Sequence, residues 1–116
     1  MGSMSDLDVL IEQMVTEIWG RAYQLDDLRL QLFLGWLTTH SIEMKRTFGD
    51  FLDLDRIALR GLITEGQFRL DLMKWLQSIP VNGLLWEYTT VITEIDWWRD
   101  LDPYRLKTIT TSDVET

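Results

Sequence analysis

The stretch Leu84-Leu85-Trp86-Glu87-Tyr88-Thr89-Thr90-Val91-Ile92-Thr93-Glu94-Ile95-Asp96-Trp97-Trp98 decides the fold. At helical spacing, Leu84, Leu85, Tyr88, Val91, Ile92, Ile95 and Trp98 share one apolar face. By propensity, the run from Thr89 to Thr93 is wholly β-branched and suits a strand. A strand needs a partner, however, and no other segment alternates cleanly between apolar and polar residues. The stretch therefore reads as a helix, closed by Asp102-Pro103.

The same periodicity runs outward through the chain. Phe68, Leu72, Trp75, Leu76 and Ile79 form an apolar face that Pro80 ends. Thr64-Glu65-Gly66-Gln67 before it has the spacing of a capping box, with Thr64 as the cap and Gln67 at the third position. Ile57, Ala58, Leu62 and Ile63 mark a helix entered from the turn Phe51–Asp55, with Asp55 as its cap. A short helix runs from Ser41 through Met44 and Phe48 until Gly49-Asp50 interrupts it. Another starts near Asp26. Its Leu28, Leu32, Phe33, Trp36 and Leu37 line one side and Leu30 and Leu34 another, which predicts a helix contacted from both sides. The first helix carries Leu7, Leu10, Ile11, Met14, Val15, Ile18 and Trp19, with Ser5 and Asp8 at its start and Gly20 as its stop.

These segments predict an all-α fold, a compact bundle of five to six short helices in a single domain over residues 5–103. Residues 1–4, Met1-Gly2-Ser3-Met4, read as a cloning scar followed by a native methionine. Residues 104–116 read as an acidic, Thr-rich flexible tail. In helix number and length, with tight polar turns between, the layout resembles the death-fold class of adaptor modules. That resemblance implies homotypic helical contacts in signalling or defence assemblies, and it assigns no role to any single residue.

Composition narrows the function. The chain has 116 residues with six tryptophans, one histidine and no cysteine. It is rich in residues that make contacts and poor in residues that react. The absence of cysteine excludes disulfides and thiolate metal sites and fits a reducing, cytoplasmic location. No apolar run reaches the roughly 20 residues of a membrane span. The net charge is −8, with acids concentrated at the two ends and no Lys/Arg cluster, which disfavours nucleic acid and anionic membranes.

No constellation for chemistry emerges. His40 and Glu43 have helical spacing, but one histidine is too few for a zinc or di-iron site, and a histidine at a helix C-terminus is expected to face solvent. Asp53 and Asp55 lack the rest of a calcium loop. Gly61 and Gly66 lack the lysine of a phosphate loop, and no serine sits in a nucleophile elbow. The reading is therefore non-enzymatic, with no cofactor and no metal.

What remains is contact. Trp19, Trp36, Trp75 and Trp98 lie on core stripes, whereas Trp86 and Trp97 do not fit one. Adjacent helical residues diverge by about 100°, so Trp97 points away from the core that Trp98 enters. The partner-binding candidates are Trp97, Trp86, Asp96, Asp100 and Tyr104. The expected function is a protein–protein interaction module, an adaptor domain or small subunit. Its partner is another protein, with a basic surface drawn to the acids, or a second copy by self-association. Two other readings stand beside it. One is an acidic, phage-type inhibitor mimicking nucleic acid. The other is a helix–turn–helix regulator over Asp55–Trp75, with Gly61 near the turn and Gln67, Arg69 and Lys74 on the second helix.

Overall fold

The computed structural model describes residues 5–49 and 56–115, and the side chains among them except at 56 and 110–115. The described residues form seven helices in chain order: α1 (Asp6–Tyr23), α2 (Asp27–His40), α3 (Ile42–Phe48), α4 (Arg56–Thr64), α5 (Gln67–Gln77), α6 (Val81–Asp100) and α7 (Pro103–Glu115). No strand occurs among them. The all-α bundle is as read, with more helices than the five to six expected.

Local chemistry sets most of the boundaries. The Ser5 hydroxyl accepts the Asp8 N–H at 3.1 Å and starts α1. Ile11, Met14, Val15, Ile18 and Ala22 then bury one stripe. Gly20 does not stop this helix. Glycine costs about 1 kcal/mol inside a helix, and the turn beyond it is held by buried Ala22 and by Arg21, which reaches Glu17 and Asp96. Asp26 caps α2 by accepting the Arg29 N–H at 2.9 Å. Leu30, Phe33, Leu34 and Leu37 of α2 are essentially solvent-free, and the helix packs on α3, α4 and α6. Leu28, Leu32 and Trp36 sit half-buried on its shoulders. Ser41 ends α2 and caps α3, whose Met44 and Phe48 are buried, with Phe48 edge-on to Phe68.

Asp53 and the expected cap Asp55 lie outside the described residues. In α4 the buried positions are Leu59 and Ile63, while Ile57, expected inside, is 82% exposed. Arg60 fixes α4 to the α1–α2 turn. It donates to the carbonyls of Tyr23 and Leu25 at 2.8 and 2.5 Å and to Asp27 at 2.9 Å.

The Thr64–Gln67 capping box is not formed. Gly66 is the residue before α5, at φ +85°, and no side chain caps that end. The Thr64 hydroxyl turns back to the Arg60 carbonyl at 2.8 Å and completes α4 instead. The left-handed backbone at Gly66 reverses the chain, and that conformation suits glycine best. Gly61, the expected turn residue, lies inside α4. α5 ends at Gln77, before Pro80, through the Ser78 N–H, and Pro80 opens α6.

α6 settles the opening question as one helix of 20 residues, about 30 Å long. Leu84, Val91, Ile95 and Trp98 are buried, and the helix packs on α1 and α2. Residues 104–115, expected in a flexible tail, are helical in backbone. The start of α7 explains it: Asp102 accepts the Arg105 N–H at 2.8 Å, Pro103 occupies the first position, and Leu106 is buried.

The corrected turn has a measurable consequence. Gly66→Ala should cost about 1 kcal/mol in urea unfolding, because a Cβ at that φ is strained. Thr64→Ala should cost less than about 0.5 kcal/mol, half or less of what a true N-cap loses.

Candidate functional site

The outer side of α6 holds the candidates. The helix is covered by α1 and α2 along the stripe of Leu84, Val91, Ile95 and Trp98, and its opposite side meets water. That opposite side carries Asn82, Trp86, Thr89, Thr93, Trp97 and Asp100, all exposed. Trp86 and Trp97 are separated by eleven residues. Three helical turns take up about 10.8 of them, so the two indoles share one face about 16 Å apart. They are 65% and 48% exposed. Leu85 and Val81, not among the candidates read from sequence, are each 67% exposed on another side of the helix. Leu85 reads from sequence as part of the apolar face, but it lies about 100° around the helix from Leu84 and meets water.

The Trp97-Trp98 doublet splits as adjacent helical residues must. Trp98 is buried at 8% exposure, and its ring meets that of Trp97 edge-on at 4.7 Å between centroids. Beside Trp97 lies an open cleft of about 220 Å³ lined with Asp100, Leu101, Asp102 and Arg105. Tyr104 is 79% exposed, near the start of α7.

The acidic candidates are differently placed. Asp96 takes both oxygens to Arg21 at 2.8 Å and also meets Arg99 at 3.2 Å. The pairing with Glu17 and Asp96 holds the Arg21 guanidinium above its ordinary pKa. Asp100 is bound by Arg99 at 3.0 Å, and that hydrogen bond lowers its carboxyl pKa. Asp96 and Asp100 thus flank Trp97, but each already has an arginine.

His40 corrects a second expectation. It does not face solvent. It lies between α2 and α6, bonded to Glu87 at 2.7 Å, stacked on Trp36 at 4.8 Å and edge-on to Trp75 at 6.4 Å. One turn of sequence beyond Val91, Glu94 is raised in pKa by desolvation, opposed by the nearby Trp98 indole and by the charge of His40. Among the described residues, no group of three or more His, Asp or Glu side chains could hold a metal ion.

The side chains of a would-be recognition helix are spent elsewhere. On α5, Gln67 donates to Asp71 at 3.1 Å, and Arg69 lies over the Trp19 ring and donates to Thr16. Gln67 and Lys74 are exposed, and Arg69 is partly covered. Among the described acids, Glu17, Asp26, Asp27, Glu43, Glu87, Asp96 and Asp100 have ion-pair partners. No helix among the described residues is long and apolar enough to cross a membrane.

Comparison with known proteins finds no matching family model, curated protein or solved structure.

Glu94 offers a test of this electrostatic layout. Its folded pKa lies above the ordinary 4.5 because burial penalises the charge. The neutral carboxyl therefore favours the fold below that value, and this contribution is lost as pH rises through the folded pKa. Glu94→Gln should raise the melting temperature near pH 7 and change it little near pH 4. Equal shifts at both pH values would contradict the desolvation account.

Proposed function

We propose that this protein is a non-enzymatic helical protein–protein interaction module, an adaptor domain or small subunit of a larger assembly, that docks through the outer face of α6. The observation that carries the reading is the pair Trp86 and Trp97, both exposed and on one face of a helix otherwise packed into the core. Large aromatic side chains left in water on a rigid element are typical binding anchors, because burying each against a partner removes roughly 150–250 Å² of mostly apolar surface.

Trp97 is the first anchor. Its neighbour Trp98 fixes it from below, and the cleft beside it gives a partner side chain a place to enter. Trp86 is the second anchor, and Tyr104 widens the surface beyond the helix end. Asp96 and Asp100 shape the rim through their arginines. Long-range attraction of a basic partner then comes from the overall −8 charge, not from these two carboxylates.

The expected outcome of Trp97→Ala is a folded protein, with a helical circular dichroism spectrum like the wild type, that binds its partner ten- to one-hundred-fold more weakly, on the order of 2 kcal/mol. Trp86→Ala should act in the same direction. The measurement is quantitative affinity capture with tagged wild-type and variant chains, from an extract of the source cells and from untagged chain. A captured set unchanged in the folded double variant would remove the α6 face as the docking site.

A further inference from the structure

We infer that the seam between α3 and α5 is a conformational device: it opens locally, without unfolding the bundle, and the buried carboxylate of Asp71 sets how readily it does so.

Asp71 lies on the buried stripe of α5, among Phe68, Leu72, Trp75 and Leu76, and is 6% exposed. One of its oxygens accepts from Gln67 at 3.1 Å. The other is buried without a hydrogen-bond partner. Among the described residues no cation reaches it. Lys45, Arg46 and Lys74 of these two helices stand exposed, and Arg46 turns to Glu43 at 3.6 Å. A carboxylate taken from water needs a cation or several donors to offset the loss of hydration, and Asp71 has one neutral donor.

The side of α5 that carries Asp71 follows from its neighbours' rings. Phe68, three residues before it, meets Phe48 of α3 edge-on at 5.4 Å. Trp75, four residues after it, meets His40 at the end of α2 at 6.4 Å. Residues at these spacings share a side of a helix, so Asp71 sits between the two contacts. Arg69, which reaches Thr16 of α1, lies about 160° around the helix from Asp71. The unpaired oxygen therefore belongs to the α3 side of α5.

That seam has little polar fastening. Side-chain hydrogen bonds join α1 to α4, α5 and α6, and α2 to α4 and α6. Among the described residues, the side-chain hydrogen bonds of α3 stay within the helix and its cap. Its buried anchors are Met44 and Phe48. A helix of seven residues has no stability of its own, so α3 depends on this packing. Each closure returns Asp71 to a place where one oxygen goes unsatisfied, and each opening rehydrates it. The open state therefore lies between the native state and global unfolding. Opening uncovers Met44, Phe48 and Phe68, an apolar surface hidden in the closed bundle.

The test uses the full chain and its lack of cysteine. Met44→Cys marks the seam and Val91→Cys marks the α6 stripe, where both native side chains are fully buried. With a thiol reagent in excess, Met44→Cys should be labelled at least tenfold faster than Val91→Cys. Adding Asp71→Leu should slow the Met44→Cys reaction at least tenfold, and Asp71→Asn should slow it less, since it removes the charge but keeps a polar group. Amide hydrogen exchange without any cysteine guards against packing defects at Met44. The Lys45 amide of α3, bonded to the Ser41 carbonyl, should exchange at least tenfold faster than the bonded amides around Val91, and Asp71→Leu should slow it. Seam and α6 stripe that label and exchange at equal rates overturn the local opening. Rates at the seam that neither Asp71 variant changes overturn the role of the carboxylate.

Discussion

The structure depends on α6 burying one stripe against two neighbours. Leu84, Val91, Ile95 and Trp98 enter the space between α1 and α2. Two polar ties guard the edges of that contact: Arg21 on Asp96 from α1, and His40 on Glu87 from α2. A helix packed mainly on two others keeps a side in water. On α1, α3, α4, α5 and α7 that side includes exposed aliphatic residues or a tyrosine. For α6 it carries two tryptophans. The constraint that makes the core thus also creates the surface for which packing gives no reason.

The arginines explain how an acidic chain stays ordered. Arg21, Arg29, Arg60 and Arg69 all bond across helices or turns: Arg29 to the Leu101 carbonyl, Arg60 to the end of α1, Arg69 to Thr16 under the Trp19 ring. Such fork-shaped donors satisfy carbonyls that helix ends leave open. Their positive charge is consequently drawn toward the interior contacts, and the acids dominate what remains outside. The −8 charge itself is set by composition, 19 acids against 11 bases.

The bundle was legible in the sequence because apolar periodicity states which side of each helix is buried. Four tryptophans assigned to core stripes pack in or against the core, and Trp86 and Trp97 are exposed. Periodicity says less about where a helix turns or stops. Gly20 looked like an end, but the contacts of Arg21 and Ala22 lie beyond it. Thr64 had the spacing of a cap, but the left-handed Gly66 does that work through the backbone. Ile57 looked apolar enough to be inside, yet Leu59 and Ile63 hold the α4 contact. His40 was invisible for another reason. Its partners Glu87 and Trp75 are remote in sequence, and only the α2–α6 packing brings them together. The same limit applies to Asp96 beside Trp97, whose pairing with Arg21 spans the chain from α1 to α6.

The Trp97-Trp98 doublet ties surface to core. Trp98 sits within the buried stripe, and its ring supports Trp97 edge-on. Trp97 is therefore held in place before any partner arrives, which lowers the ordering cost of binding. Arg99 and Asp96 fix the same turn, and Arg21 fastens that turn to α1. An exposed ring supported this way reports on the fold beneath it, since loosening Trp98 frees Trp97 as well. Trp86 lacks such support from a neighbouring ring among the described residues and is the more exposed of the two. The face accordingly has a rigid end and an adaptable one.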